Sequence, residues 1–269
     1  MTDWPSPAPT GELLDELLGL AIELAEAAAN RHLAGGVGDI ATKSSHSDPV
    51  TAVDRDSENL IVDALATRRP DDGLLGEEGS ERGGTTGLRW VIDPLDGTVN
   101  YVYGFPSHAV SIAVEHEGAP VVAVVHDTAL GDVYSARRGG GAHRNGEPIG
   151  VSAADVLATT LLGTGFGYDA DQRRRQGAVL AQLLPQVRDV RRAGSCAVDL
   201  AWTAMGRLDA FYETGPNRWD VSAGLLLVRE AGGVATFDDD AHRIIAAPPR
   251  LWNALTDAVE AAEQAVRDG

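Results

Sequence analysis

Arg89-Trp90-Val91-Ile92-Asp93-Pro94-Leu95-Asp96-Gly97-Thr98 is an apolar run that leads directly into two carboxylates three residues apart. Its first half reads as a buried strand, because Trp90, Val91 and Ile92 form an uninterrupted apolar segment. Its second half has two readings. Asp96-Gly97 fits a hairpin turn. Alternatively, Pro94 fixes the backbone so that both aspartates stay at the strand end, where they can bridge metal ions. Gly97 and Thr98 follow with backbone amides that, at the start of a short helix, would point at an anion such as phosphate. Taken alone, the stretch is compatible with a turn and with a metal site.

Outward from this strand the periodicity changes on both sides. Upstream, Leu13, Leu14, Leu17, Leu20, Ala21, Leu24, Ala25 and Ala28 follow helical spacing over residues 12–33, with Thr10 as a cap. A glycine-bearing loop (Gly35, Gly36, Gly38) leads to Ser47-Asp48-Pro49. Val53, Leu60, Ile61, Ala64 and Leu65 then predict a second helix that stops before Pro70, with Asp54 in its first turn. Downstream, residues 108–116, 119–127, 132–136 and 142–149 read as an antiparallel meander with turns at Glu117-Gly118, Gly131 and Asn145-Gly146. Beyond Val151 strands and helices alternate: strand 157–163, helix 171–184, a short strand, helix 195–206, strand 208–213 and helix 219–231. Strands near Val234 and Ile244 precede a last helix from Leu251. The expected organisation is a disordered lead-in over 1–10, an α+β part over 11–150 and a smaller mixed α/β part over 151–269.

Composition narrows the chemistry. A chain of 269 residues with 43% hydrophobic content buries a substantial core. Forty acidic against 22 basic residues, a net charge of -18, leave no broad basic face for nucleic acid. An anionic substrate would be repelled unless cations intervene. Lys43 is the sole lysine and lacks the glycine spacing of a nucleotide-binding phosphate loop, which excludes P-loop kinases and ATPases. The seven histidines show no HExxH spacing and no serine sits in GxSxG. Cys196, the single cysteine, cannot form an internal disulfide, so cytoplasm is the expected compartment. The start of the chain does not read as a signal peptide, and the best apolar window, 13–29, is interrupted by four acids, so no membrane span is expected.

Three further acidic motifs each have an ordinary reading in isolation. Leu74-Leu75-Gly76-Glu77-Glu78-Gly79 fits a solvated turn. Asp48-Pro49-Val50-Thr51-Ala52-Val53-Asp54 and Asn217-Arg218-Trp219-Asp220 fit helix starts with a favourable N-terminal acid. Their combination carries more, because hard oxygen donors brought from separate strand ends and helix starts are what magnesium sites use.

At these motifs the chain resembles the inositol monophosphatase family, on Gly76-Glu77-Glu78, Asp93-Pro94-Leu95-Asp96-Gly97-Thr98-Val99-Asn100 and Trp219-Asp220, with Lys43 to Asp54 also in the family's spacing. Arg191-Arg192-Ala193-Gly194-Ser195 and Gly206-Arg207-Leu208-Asp209-Ala210-Phe211-Tyr212-Glu213 resemble its bacterial inositol-1-monophosphatases. The resemblance spans roughly 13–250. It implies an α/β fold of α+β mixed type, a layered α-β-α-β-α sandwich with an antiparallel sheet in the N-terminal part. It also implies a homodimer, two to three Mg2+ ions, and inhibition by lithium. By this resemblance Glu77, Asp93 and the Leu95 carbonyl hold the first ion, Asp93, Asp96 and Asp220 the second, and Glu77 reaches a third through water. Asp54 and Thr98, assisted by Glu77, orient the attacking water. Gly97 and Thr98 amides take the phosphate, while Asp96, Gly194, Cys196, Glu213 and Asp220 meet the alcohol.

The implied reaction is hydrolysis of a small phosphomonoester, inositol monophosphate first. Histidinol phosphate, bisphosphate nucleotides and fructose bisphosphate are the rival substrates, with Arg191 and Arg192 available to a second phosphate. A partner-binding accessory protein on the same fold is the reading of a different class. Three departures from the family pattern bear on the alcohol: Asn217 for histidine, Cys196 for alanine and Tyr101 for phenylalanine. Cys196, at a helix start, can have a lowered pKa and be reactive, against the ordinary reading of a buried, inert thiol.

Overall fold

The structure is a computed structural model that describes residues 9–35, 40–42 and 49–268, with side-chain surroundings for 9–35 and 51–268. Lys43, Gly36, Gly38 and Ser47-Asp48 lie outside the described residues, as does the expected lead-in except for Pro9 and Thr10. Thr10 caps the first helix, α1 (Gly11–Ala34), by accepting from the Leu13 amide.

Two short strands, β1 (Ile40–Thr42) and β2 (Pro49–Thr51), pair antiparallel before α2 (Ala52–Arg68). The first large sheet follows. Its strands are β3 (Gly73–Gly76), β4 (Glu81–Arg82), β5 (Leu88–Asp96), β6 (Ala109–His116), β7 (Ala119–Asp127), β8 (Asp132–Arg137), β9 (Ala142–Arg144) and β10 (Glu147–Pro148), with a single short helix, α3 (Thr98–Tyr103), after β5. Their order across the sheet is β10-β9-β8-β7-β6-β5-β3-β4. The meander from β5 to β10 is antiparallel as expected. β3, however, lies parallel to β5, a pairing that hydrophobic alternation cannot reveal.

The second sheet comprises β11 (Leu161–Thr164), β12 (Asp189–Arg191), β13 (Ala210–Thr214), β14 (Val234–Asp238) and β15 (Arg243–Ala247), in the order β12-β11-β13-β15-β14. Interleaved with them are α4 (Ala170–Leu183), α5 (Cys196–Ala204), α6 (Arg218–Glu230) and the final α7 (Trp252–Asp268). The strand expected over 157–163 begins later. Residues 157–159 form a 3-10 turn, because Thr159 and Thr160 both return hydrogen bonds to the Val156 carbonyl.

Period-two alternation assigns each strand residue to a layer. In the first sheet Trp90, Ile92, Val110, Ile112, Val114, Val122 and Val124 pack against α1 and α2. Their neighbours Val91, Ala109, Ala113, Ala123 and Val125 face the opposite way, onto α5 and α6. The second sheet repeats this: Phe211, Ile244 and Ala246 face α5 and α6, while Ala210, Tyr212, Ile245 and Ala247 face α4 and α7. The result is the α-β-α-β-α sandwich. Burying each such aliphatic side chain is worth about 1.5–3 kcal/mol before the entropy of ordering is subtracted. The inner layer is built from small residues on the sheet side, which lets α5 and α6 lie close to the strand ends. Among the described residues no helix is long and apolar enough to cross a membrane.

Candidate active site

The site forms where β5 ends. Pairing of β5 with β6 is interrupted between Asp93 and Asp96, and the extra residues bow outward with Pro94 in the bulge, where a missing N–H costs no ladder bond. Asp93, 1% exposed, accepts the Leu95 amide at 3.0 Å on Oδ1. Asp96 Oδ2 accepts from Ser195 Oγ at 2.7 Å and from the Ala197 amide at 2.6 Å, which ties the end of β5 to the start of α5. Because β3 runs parallel beside β5, its end delivers Glu77 to the same place, and the Glu77 amide donates to the Ile92 carbonyl at 3.1 Å. Asp220 arrives on the first turn of α6, where its Oδ2 receives the Asn217 amide at 2.5 Å. Carboxylate oxygens of Asp93, Asp96 and Asp220 lie within 4.8 Å of one another.

This arrangement is electrostatically costly without a cation. Burial, then the charges of Glu77, Asp96 and Asp220, pushes Asp93 well above the usual carboxylate range, and Glu77 shares a hydrogen bond with it. Asp220 is raised in the same way by burial and then by Asp96 and Glu77. Asp96 is pushed up to about 6 by burial, with Ser195 and Ala197 pulling the other way. Buried carboxylates that crowd one another and offer only oxygen donors fit a hard divalent ion.

Beside the cluster stands a second pair. Asp54, fully buried, uses Oδ2 to accept the Thr51 amide at 2.8 Å and the Thr51 hydroxyl at 2.5 Å, capping α2. Its Oδ1 is left for the Thr98 hydroxyl, 3.0 Å away, which also sits 3.0 Å from the Leu95 carbonyl oxygen. One hydroxyl proton serves one acceptor at a time. Gly97, at φ 90°, makes the reversal into α3, and a Cβ there would lie 2.9 Å from the Ser107 carbonyl oxygen. Its amide turns back to the Asp96 carboxylate rather than into open space.

The carboxylates open into a cavity of about 300 Å³. Glu77, Asp93, Leu95, Asp96, Gly97, Thr98, Gly194, Cys196, Glu213 and Asp220 all line it; Asp54 lies one layer behind, reaching it through Thr98. Glu213, at the end of β13, is pushed up to about 8 by burial, then by Asp199 and Asp96, with Arg192 opposing. Of the two expected arginines only Arg192 lines the cavity; Arg191 pairs with Asp189 at 2.6 Å on the surface. Asn217 lines it too, whereas the Tyr101 hydroxyl lies 3.0 and 2.9 Å from the His32 and Gly35 carbonyl oxygens and donates to one of them at a time, so that departure serves the end of α1. Cys196 takes the ordinary reading: burial and the charges of Glu213, Asp96 and Asp220 push its thiol up, and they outweigh the helix start.

Two carboxylates were missed in the sequence. Asp199 lines the cavity from α5, accepts the Ala193 and Gly194 amides, and keeps Oδ1 without a hydrogen-bond partner. Its signal was an acid flanked by Val198 and Leu200 in an apolar helix. Glu58, 2% exposed, accepts the Glu78 and Ser80 amides at 2.8 and 3.1 Å and so holds the turn that carries Glu77. It sits four residues after Asp54 on α2, hence on the same helix face.

Comparison with known proteins places this geometry. An inositol-1-monophosphatase SuhB of Mycobacterium tuberculosis is 45% identical over 236 residues, covering 84% of this chain and 78% of that one. A Nus factor SuhB of Xylella fastidiosa is 45% identical over 192 residues, covering 71% and 70%. The solved structure of a Thermotoga maritima IMPase matches with a TM-score of 0.85 at 30% identity, covering 93% of this chain and 99% of that one. The model of the inositol monophosphatase family matches residues 13–266, from the first turn of α1 into the last turn of α7. With the acidic cluster inside that span, the chain belongs to the inositol monophosphatase family and is a phosphoric monoester hydrolase.

Proposed function

We propose that the chain is a Mg2+-dependent phosphatase acting on the monophosphate of a small polyhydroxy alcohol, with inositol monophosphate the first candidate. The observation that carries this reading is the trio of buried Asp93 and Asp96 and half-buried Asp220, oxygens within 4.8 Å, set beside the Thr98–Asp54 pair. Glu77, Asp93, the Leu95 carbonyl, Asp96 and Asp220 would hold two to three ions, which supply charge neutralisation for a phosphate dianion and acidify water.

The protein's own groups do the rest. When the Thr98 hydroxyl donates to Asp54, its oxygen accepts a hydrogen bond from water and aims that water at phosphorus; as the water attacks, its proton passes to Thr98 Oγ1 while the Thr98 proton passes to Asp54 Oδ1. A new O–P bond forms as the ester bond to the alcohol oxygen breaks, and the alcohol leaves protonated from solvent. The raised Cys196 thiol argues for this direct route over a covalent intermediate. Glu213 and the backbone at Gly194 and Cys196 receive the alcohol's hydroxyls, for which a carboxylate is a strong acceptor. Arg192 alone is a weak handle for a second phosphate, which favours monophosphates. A homodimer and a cytoplasmic location are proposed with this reading.

Parallel turnover of inositol 1-phosphate, histidinol phosphate, fructose 1,6-bisphosphate and a 3',5'-bisphosphate nucleotide, with magnesium and with EDTA, tests it. Expected is fastest release from inositol 1-phosphate, no release in EDTA, and inhibition by lithium beyond that of sodium or potassium at equal ionic strength. Absence of magnesium-dependent release from any of the four would favour the accessory-protein reading, to which the Xylella fastidiosa relative's name points.

A further inference from the structure

His32 is 3% exposed in the last turn of α1, a helix none of whose residues lines the cavity. A buried histidine is ordinarily a packing residue, so its partners decide the matter. Nε2 is 2.9 Å from the Pro94 carbonyl oxygen, and Nδ1 is 3.4 Å from Thr128 Oγ1. A carbonyl only accepts, so Nε2 carries the proton and a neutral ring accepts at Nδ1. Burial keeps the ring neutral, with its pKa pushed down to about 4. Thr128 Oγ1 also lies 3.1 Å from the His108 carbonyl oxygen, a second acceptor for its proton; turned toward Nδ1, the hydroxyl is the donor that ring nitrogen needs. His108 Nδ1, 2.5 Å from Thr128 Oγ1, completes the chain as a donor in turn.

Pro94 O and the Leu95 N–H belong to one peptide plane. Its N–H end donates to Asp93 Oδ1 at 3.0 Å, and its C=O end takes His32. The interrupted β5/β6 pairing leaves no strand amide for that carbonyl. We propose that His32 is a positioning residue for the metal site: by holding the Pro94–Leu95 peptide it sets the rotation of the Asp93 carboxylate and anchors the backbone from which the Leu95 carbonyl follows. The inference rests on Asp93 and Leu95 being metal ligands, as read above. α1 is thereby coupled to the site it does not touch.

The test is calorimetric titration of magnesium chloride into the metal-free wild type and the variants H32L, H32Q and T128V, with Tm in EDTA and kcat at saturating magnesium measured alongside. H32L, which cannot donate, should bind magnesium about tenfold more weakly, the scale of groups that orient ligands, with kcat at saturation within about threefold of wild type. H32Q, which keeps a donor, should recover most of that affinity. T128V should lose a smaller part, because the ring is then free to change tautomer. A folded H32L with wild-type affinity overturns the proposal, as does loss in H32Q equal to that in H32L. If H32L does not fold, unchanged affinity in T128V overturns it. Failure of the wild type itself to bind magnesium would instead sink the underlying metal reading.

Discussion

Asp93 is assigned to two ions while four buried or half-buried acids crowd the same space, so its charge opposes folding of the metal-free chain and serves only the loaded one. Asp93→Asn should therefore leave Tm in EDTA unchanged or higher while activity falls by about 10³-fold, several kcal/mol of lost charge stabilisation at 1.36 kcal/mol per tenfold. Near-normal turnover at saturating magnesium would remove Asp93 from the site. Asp54 has a different task, since one oxygen caps α2 and the other takes Thr98. Asp54→Asn should slow turnover by about 10²-fold or more with magnesium affinity largely kept. If calorimetry showed the larger defect in affinity, the roles of Asp54 and Asp93 would have to be exchanged.

At the scale of elements, the central helices α5 and α6 carry site residues at their starts, so their mutual packing sets the distance between Asp96's partners and Asp220. Gly224 is the close-approach point: a Cβ there would lie 2.4 Å from Leu200 Cδ1 and 2.5 Å from Leu200 Cβ. The Cβ cannot swing away as a side-chain tip would. Gly224→Ala should cost about 1–3 kcal/mol by overpacking, read as a lower Tm, and should also weaken magnesium binding. Leu200→Ala removes the obstacle while opening a cavity of its own. The two substitutions should then be less damaging together than the sum of their separate costs. Strictly additive costs would show that the helices do not meet there. The start of α6 is also tied to the first sheet, through Glu115 on β6: Arg218 and Ser222 both donate to this fully buried carboxylate at 2.7 Å, and Arg89 reaches its other oxygen at 2.6 Å.

For the whole molecule, the carboxylates around the cavity set the response to pH. Asp93, Asp199 and Asp220 are raised well above the ordinary range, Asp96 to about 6 and Glu213 to about 8, all by burial first. Between pH 6.5 and 8 the unfolded chain holds these groups ionised and Asp96 has largely lost its proton in the folded chain too, but Glu213 in the folded metal-free chain still retains one, so the native state binds more protons and stability falls as pH rises. The buried histidines act with the opposite sign at lower pH. His32, lowered to about 4, contributes stability that is present above about 6.5 and lost as pH falls toward 4. In EDTA, Tm should therefore fall from pH 6.5 to 8, and magnesium, by displacing those protons, should flatten or reverse the trend. Scanning calorimetry at the two pH values reads this directly; a Tm that rises with pH in EDTA would mean the carboxylates are not buried together.

Periodicity alone placed α1, α2 and the meander within a few residues, because alternation and helical spacing are local properties that a buried face imposes on the sequence. Asp93, Asp96, Glu77 and Asp220 were legible as motifs, since a strand end or helix start announces itself in the chain. Their convergence was not. It depends on β3 lying parallel to β5 and on α6 packing across β5 to β8, contacts between residues far apart in sequence that no local pattern encodes. Glu58 and His32 were invisible for the same reason: each acts by satisfying a backbone group on a distant segment, and a polar side chain in a helix gives no sign of which carbonyl or amide the fold will bring to it. The sequence determined which ligands this protein owns; only the tertiary structure decided how they are aimed, because the bonds that hold them span the layers.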